Sequence, residues 1–234
     1  MKFSTQIMAA LSGAFFFFGT LSAADAAGCK IDFTKTINDK DGITGWVYKG
    51  KPGTDRAKFS VVTLDGAKVL KAEAVDASGS ILFDISRIDF KKYPVMRWKG
   101  RADVLPAGAD GRFSGKDDQA IGIYVGAGRW STTSVAYRWE TDTPKKAEGD
   151  ASYGMGMVSV KWFCVRNKED KTGVWHVDEC NIYEALDKLF KGRIPKKNLA
   201  LSISCNSQYT KSKAVAYLEY VEFLPEQAKG KEVK

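Results

Sequence analysis

Histidine and metal-binding motifs are almost absent from this 234-residue sequence. The only histidine is His176, and the four cysteines include no C-x-x-C pair, which excludes the usual zinc sites. A serine or cysteine triad is disfavoured as well, because there is no G-x-S-x-G motif and the single histidine, beside Asp178, falls in a probable excursion of the chain. The Gly-Met-Gly run at 154–156 lacks the Lys-Ser/Thr and the following helix of a phosphate loop. The sequence therefore predicts no catalytic centre, no metal site and no cofactor.

Long apolar runs are missing after the N-terminus. There, Lys2 precedes an apolar stretch from Ile7 to Leu21, and Ala24-Asp25-Ala26 follows as a small-x-small cleavage site. The stretch is short for a membrane span, which needs about 20 apolar residues. We therefore predict a signal peptide over residues 1–26, a periplasmic or extracellular protein, and no transmembrane span in the mature chain. Lipidation of Cys29 is an open alternative.

The cysteines are few but even in number, and in an exported chain this indicates disulfides. The stretch between Cys164 and Cys180 has the character of a hairpin or excursion, so these two are expected to pair. Cys29 would then tie the N-terminus to Cys205. Free buried cysteines are the alternative.

Acidic residues are outnumbered: 28 Asp and Glu stand against 36 Lys and Arg, and the net charge is +8. Such an excess favours acidic partners, such as anionic glycans, phospholipid surfaces or nucleic acid, although it also serves plain solubility. Export of the chain argues against nucleic acid. An acidic polysaccharide or envelope glycan is the partner that we expect.

Short segments of alternating apolar and polar residues are what the sequence does contain. Separated by turn signals, they predict an all-β fold, a jelly-roll-type antiparallel β-sandwich over residues 57–225. Turns are predicted at Asp65-Gly66 and at Ser78-Gly79. An irregular segment (27–56) would precede the sandwich and a charged tail (226–234) would follow it. Strands are predicted at 58–63, 69–77, 81–85, 94–101, 119–125, 135–141, 158–166, 199–206 and 214–224.

One short α-helix interrupts the predicted strands. Asn181 is placed to cap its N-terminus with Glu184 three residues on, and Gly192 is placed to end it. The helix is expected to cover a sheet edge or one end of the sandwich. The apolar residues that recur at helical spacing are Ile182, Ala185, Leu186, Leu189 and Phe190.

Several motifs follow one another in a particular order along the chain. They are Tyr93-Pro94-x-x-x-Trp98-Lys99, Leu105-Pro106 with Asp110, Asp117-Asp118 leading into Ile121–Val125, Ala136–Trp139, Arg166-Asn167, the helix end Leu189–Gly192 and the closing Ala216–Phe223. In content and order they resemble the bacterial domain of unknown function 3047, from Trp46 to Pro225. The resemblance implies an exported β-sandwich similar to carbohydrate-binding modules, and it brings no established activity.

Cations alternate with core residues along the strand at 94–101. Arg97, Lys99 and Arg101 fall on the face opposite Met96 and Trp98. We expect the same face to carry two cations of later strands. A row of this kind suits a polyanion, since arginine grips a carboxylate with two hydrogen bonds and lysine acts as a point charge. The two later cations are Arg138 and Lys161.

Aromatic and acidic residues complete the predicted ligand site. Tyr124, on the small-residue face of its strand, would stack on a sugar ring, and Trp130 in a turn is expected to be exposed. Asp117 and Asp118 end the long loop before that strand. Because neighbours in a strand point to opposite faces, they do not form the paired carboxylates of a glycosidase. A loop cap, or a calcium site with Asp110, is the alternative for this pair.

Three functions follow from these patterns. The first is a non-catalytic carbohydrate-binding module for an acidic glycan. The second is a structural or scaffold protein of the cell envelope. The third is a polysaccharide lyase or glycoside hydrolase built on the same jelly roll.

Overall fold

The computed structural model of the chain describes residues 29–39, 42–128 and 131–226. The predicted signal peptide, Trp130 and residues 227–234 of the predicted tail lie outside the described residues. The elements, in chain order, are β1 (Cys29–Asp32), β2 (Asn38–Asp39), β3 (Gly42–Ile43), β4 (Val47–Lys49), β5 (Asp55–Arg56), β6 (Lys58–Leu64), β7 (Ala67–Val75), β8 (Ala77–Asp84), β9 (Val95–Val104), β10 (Gln119–Gly128), β11 (Thr132–Trp139), β12 (Glu148–Tyr153), β13 (Val158–Arg166), β14 (His176–Asn181), α1 (Ile182–Leu189), β15 (Leu199–Asn206) and β16 (Lys213–Leu224).

Two large sheets contain nearly all of these strands. The first sheet has the order β14-β9-β16-β7-β6, with β1 also paired to β16. The second has the order β12-β13-β11-β10-β15-β8-β4, with β5 also paired to β8. All pairs in the two sheets are antiparallel except β11 with β13 and β5 with β8. The predicted jelly-roll-type β-sandwich with one short helix is confirmed.

A single main core fills the space between the two sheets. From the first sheet Met96, Trp98 and Phe223 are buried, and from the second Ile123 and Tyr137. The rings of Trp98 and Tyr137 meet across the sandwich with centroids 5.5 Å apart. Alternation along each strand sends one set of side chains to this core and leaves the other set on an outer face.

The helix α1 forms where the capping pattern predicts it. The Asn181 side chain accepts a hydrogen bond from the Glu184 N–H at 3.0 Å, and Ile182 and Leu186 are buried beneath the helix. The Ile182 N–H donates to the Pro94 carbonyl at 2.8 Å, which fixes the helix at the start of β9. In the described part of the chain no helix has the length and apolar character of a membrane-spanning segment.

Local structure differs from prediction in three places. The segment 27–56, expected to be irregular, contains the short strands β1 to β5. The strands β12 and β14 were not predicted. Ser78 and Gly79 lie inside β8, and the chain turns instead at Asp76, which has a φ of +46°. Aspartate tolerates this left-handed conformation better than most residues.

The four cysteines are free thiols in the structure, in place of the two predicted disulfides. They occupy three clusters: Cys29 and Cys180 pack in the main core, Cys164 in a cluster on the far face of the second sheet, and Cys205 in a small alanine-rich cluster. Burial raises the pKa of Cys164 and of Cys180 to about 12. All four thiols are therefore expected to stay protonated and unreactive in the folded protein.

Thiol counting tests this difference directly. Denatured without reductant, the protein should titrate with four thiols per chain, and dithiothreitol should leave its melting temperature unchanged. A count of two or no thiols, or a clear fall in melting temperature with reductant, would show that the predicted disulfides form after all. Removing a native disulfide typically lowers the free energy of unfolding by about 2–5 kcal/mol.

Candidate functional site

Arg97, the first cation of the predicted row, is neutralised by two glutamates. Its Nη2 lies 2.7 Å from Oε2 of Glu179, and its Nη1 lies 3.5 Å from Oε1 of Glu222. These glutamates are the residues opposite Arg97 on β14 and β16, the two strands that flank β9. The charge of Arg97 is therefore neutralised by ion pairs with the neighbouring strands.

Lys99 and Arg101 are paired in a similar way. Lys99 Nζ lies 2.5 Å from Oε2 of Glu219, and Arg101 lies 2.6 Å from Asp103 and 3.5 Å from Asp65. On the outer face of the first sheet, these cations are thus each paired with neighbouring carboxylates. This corrects the prediction of a cation row suited to a polyanion.

Arg138 and Lys161, expected on the same face as that row, lie on the second sheet. Within the second sheet they also separate. Lys161 is in register with the core residue Val135, whereas Arg138 is in register with Cys164, so the two side chains leave opposite faces. Lys161 is paired with Glu148 at 3.2 Å. The structure therefore places the predicted cations in three separate environments.

A groove runs over the face of the second sheet that points away from the core. Two adjoining cavities of about 420 and 510 Å³ form it, and they share lining residues. Its floor is made of small side chains from β8, β15, β10 and β11, which leave room above the sheet. The floor residues are Ser80, Ala200, Ser202, Ser204, Gly126 and Ser134, and the shared lining residues are Lys49, Ser80, Tyr124, Tyr153, Val158 and Ser204.

Tyr124 lies flat along this floor. A Cβ added to Gly122 would come within 2.6 Å of its ring, so the ring occupies the space that the glycine leaves. Gln119 Nε2 donates to the Tyr124 hydroxyl at 3.0 Å and to Ser204 Oγ at 2.8 Å, which fixes the ring. Tyr124 thus presents an aromatic face in the groove; that it stacks on a sugar ring stays a prediction.

A second and a third tyrosine line the groove toward its loop end. The Tyr153 hydroxyl donates to the Asp117 carboxylate and accepts from Arg138 Nη2 at 3.3 Å. Burial raises the pKa of Tyr153, with Arg138 acting against the shift. Tyr209 is 39% exposed and accepts a 2.8 Å hydrogen bond from Lys51 Nζ.

Arg138 is fully buried beneath this aromatic lining. Its Nη1 lies 3.4 Å from Oε1 of Glu140, and both side chains are inaccessible to solvent. The other carboxylate oxygen of Glu140 accepts the Gly111 N–H at 2.9 Å and the Thr143 hydroxyl. The pair supports the groove from below, and Arg138 is therefore not available to a ligand, contrary to the prediction.

Asp117 and Asp118 lie in the loop before β10, not in a strand, and they have different partners. Asp118 is buried and accepts hydrogen bonds from the Thr210 N–H at 2.8 Å and the Thr210 hydroxyl at 2.9 Å. Burial raises the pKa of its carboxyl group. Asp118 therefore holds the loop after β15, and only Asp117 lines the groove.

Carboxylates and metal ligands are scarce in the groove. Over the residues that the structure describes, Asp117 is the single carboxylate in its lining. Asp110, the candidate calcium ligand, is paired with Arg112 at 2.6 Å. No cluster of three or more His, Cys, Asp or Glu side chains that could hold a metal ion occurs among the described residues.

Several groove residues are not among those predicted from the sequence. Ser202 and Ser204 alternate with the core residues Leu201 and Ile203, and this alternation was visible in the sequence. What was not visible is that β15 lies between β10 and β8, so that four small-residue faces join. Lys49, Gln119, Tyr153 and Tyr209 reach the groove only through this sheet order.

Comparison with known proteins gives a family and a set of distant folds. The model of the family described as "Protein of unknown function (DUF3047)" matches residues 44–222. No curated protein sequence matches the chain.

Several solved structures share the general shape at very low sequence identity. The family 11 carbohydrate-binding module of the cellulase Lic26A-Cel5E from Clostridium thermocellum is 9% identical, with a TM-score of 0.44 over 83% of this chain and 96% of that one. Endoglucanase 3 of Trichoderma harzianum, from family GH12, is 12% identical, with a TM-score of 0.40 over 86% and 99%. The CBM22-1 xylan-binding domain of Paenibacillus barcinonensis Xyn10C is 12% identical, with a TM-score of 0.37 over 88% and 100%. At this distance the similarity says nothing about the ligand of this chain.

Proposed function

The chain belongs to the DUF3047 family of proteins of unknown function, and we propose that it is a non-catalytic module that binds a glycan chain in the groove of its second sheet. We also propose that it works in the periplasm or outside the cell, on the strength of the signal-peptide pattern at residues 1–26.

The observation that carries the proposal is the lining of this groove. A sugar ring offers apolar C–H faces and hydroxyl groups that both donate and accept hydrogen bonds. The groove meets the faces with the rings of Tyr124, Tyr153 and Tyr209, and it meets the hydroxyls with serine and amide side chains. Its length across several strands suits an extended chain better than a compact ligand. The polar lining residues include Ser80, Ser202, Ser204, Asn198, Asn206 and Gln208.

An acidic glycan is the specific ligand that we propose. Lys49 and Lys51 line the same rim of the groove. Neither lysine has a carboxylate within 4 Å of its ammonium group in the described part of the chain, and Lys51 Nζ contacts the hydroxyl and ring of Tyr209. A carboxylated sugar would place its charge beside these lysines. These two lysines, and not the cations of β9, are therefore the groups that we propose to contact the acidic sugar.

Catalysis finds little support in the groove. Glycoside hydrolysis uses two carboxyl groups about 5–9.5 Å apart, and Asp117 has no such partner among the described lining residues. A lyase would need a base, and the raised pKa of Tyr153 makes this phenol a poor one near neutral pH.

A glycan microarray of neutral and acidic polysaccharides tests the proposal. Binding in the micromolar to millimolar range is expected for at least one acidic polysaccharide, without release of reducing ends or unsaturated products. The double variant Arg97→Ala, Lys99→Ala should bind as the wild type does, because its cations are already paired and lie on the other sheet. If the protein bound no glycan, the proposal would be wrong and a scaffold role in the envelope would be favoured. If product were released, the protein would be a lyase or hydrolase instead.

A further inference from the structure

Two largely irregular segments lie at one end of the sandwich. The first, residues 85–94, joins β8 to β9, and the second, residues 188–198, comprises the last two residues of α1 and the segment that joins it to β15. Backbone hydrogen bonds hold them in place: the Ile85 N–H donates to the Leu199 carbonyl at 3.0 Å, and the Ile182 N–H donates to the Pro94 carbonyl at 2.8 Å. The first segment is thus fixed between the start of β15 and the start of α1.

These two segments carry a dense positive charge. They contain eight exposed cations and a single acid, Asp89, so their net charge is +7, against +8 for the whole chain. Asp89 Oδ1 already accepts the N–H groups of Lys91 and Lys92. We call the eight cations the basic end: Arg87, Lys91, Lys92, Lys188, Lys191, Arg193, Lys196 and Lys197.

Among the described residues, no cation of the basic end lies within 4 Å of a carboxylate. Every ion pair found in the described residues involves other cations, including those of β9 and β13. Unpaired charges of one sign repel each other, and a concentration of them at one place is unfavourable unless an anion compensates. Unlike the neutralised outer face of the first sheet, the basic end therefore offers a local positive potential that suits an external anion.

The groove leads to the basic end. Asn198, which directly follows Lys196 and Lys197, is part of the groove lining. Its carbonyl accepts the Gly128 N–H at 3.3 Å, where β10 leaves the floor of the groove. A polymer lying in the groove and leaving it at this side would pass over the lysines.

We propose that the basic end binds the acidic groups of the polysaccharide where it leaves the groove, so that the full site recognises a polyuronic acid or a similar polyanionic glycan several residues longer than the groove itself. This inference rests on the proposed function. An anionic lipid surface fits less well: peripheral membrane sites combine basic residues with exposed apolar ones, and the described residues of the two segments include no exposed large apolar side chain.

The experiment compares polygalacturonate with its carboxyl-reduced, neutral form. The variant replaces Lys191, Arg193, Lys196 and Lys197 by glutamine. The matched control makes the same charge change at Lys35, Lys58, Lys68 and Lys171, which are exposed and unpaired in the described structure. Wild-type protein should bind polygalacturonate more tightly at low salt than at high salt. The affinity of the basic-end variant for polygalacturonate should be roughly ten- to thirtyfold lower, which is the loss expected for four exposed charge contacts. The control variant should lose less than about threefold, and the neutral form should bind both variants equally.

The outcomes separate this inference from the proposed function. If wild-type protein binds both polymers alike and the basic-end variant changes nothing, the groove proposal stands and the inference is wrong. If wild-type protein binds neither polymer, nor any glycan on the array, both fall. Phosphatidylglycerol vesicles form a last arm: binding that the basic-end variant loses, with polygalacturonate binding unchanged, would assign the surface to lipid and overturn the inference.

Discussion

Replacing Arg138 by methionine is expected to lower the free energy of unfolding by about 3–5 kcal/mol, because the change leaves the carboxylate of Glu140 buried without its counter-charge. Both side chains are fully buried, and Glu140 has no route to solvent in the folded protein. Methionine keeps most of the volume of arginine, so the loss reports charge rather than a cavity. Urea unfolding followed by tryptophan fluorescence measures it.

The double variant Arg138→Met, Glu140→Gln is the matched control. With no buried charge left, it should recover most of the lost stability, since neutral replacement of a buried pair is often close to neutral in free energy. Glutamine can still accept the Gly111 N–H that Glu140 binds at 2.9 Å. A single variant within about 1 kcal/mol of the wild type, or a double variant no better than the single one, would show that the pair does not act as described.

Replacing Ser202 by tryptophan is expected to weaken glycan binding by roughly 100-fold or more while the protein stays folded. Ser202 lies in the floor of the groove, opposite Tyr124 on β10 and Leu82 on β8. A tryptophan there projects away from the core and fills the space that the small residues leave. Outward substitutions of this kind usually change stability by no more than about 0.5 kcal/mol.

Val177→Trp provides the control for this substitution. Val177 is 53% exposed on β14 of the first sheet, next to Lys99. Titration of both variants with the polysaccharide that binds the wild type, together with their melting curves, separates the effects. Unchanged affinity in Ser202→Trp would remove the groove as the binding site, and lost affinity in Val177→Trp would move the site to the first sheet.

Local pattern was sufficient for the fold class, though not for the strand order, because burial on one face repeats every second residue. The alternation of Met96 and Trp98 with Arg97 and Lys99 correctly predicted which side chains of β9 enter the core. The same alternation does not predict which partners the outward-facing side chains contact. The partner Glu179 lies 82 positions away in the sequence, and only the pairing of β14 with β9 brings it to Arg97.

The groove residues divide in the same way: local alternation predicts the position of some of them, and strand pairing decides the position of others. Local alternation places Tyr124 on a face of small residues, and the structure has this residue in the groove lining. The fate of Arg138 was not predictable locally, because β11 and β13 pair in parallel through a long excursion of the chain. That pairing brings Trp162 and Cys164 beside Arg138 and, with Glu140, turns a supposed surface cation into a buried one.

The most direct measurement of the central claim is hydroxyl-radical footprinting of the wild-type protein with and without its bound polysaccharide. Tyrosines on the two sheets serve as internal reporters. The ligand should protect Tyr124, Tyr153 and Tyr209, which line the groove, and leave Tyr217 and Tyr220 on the first sheet unchanged. Protection of Tyr217 and Tyr220, with the three groove tyrosines as reactive as before, would contradict the central claim.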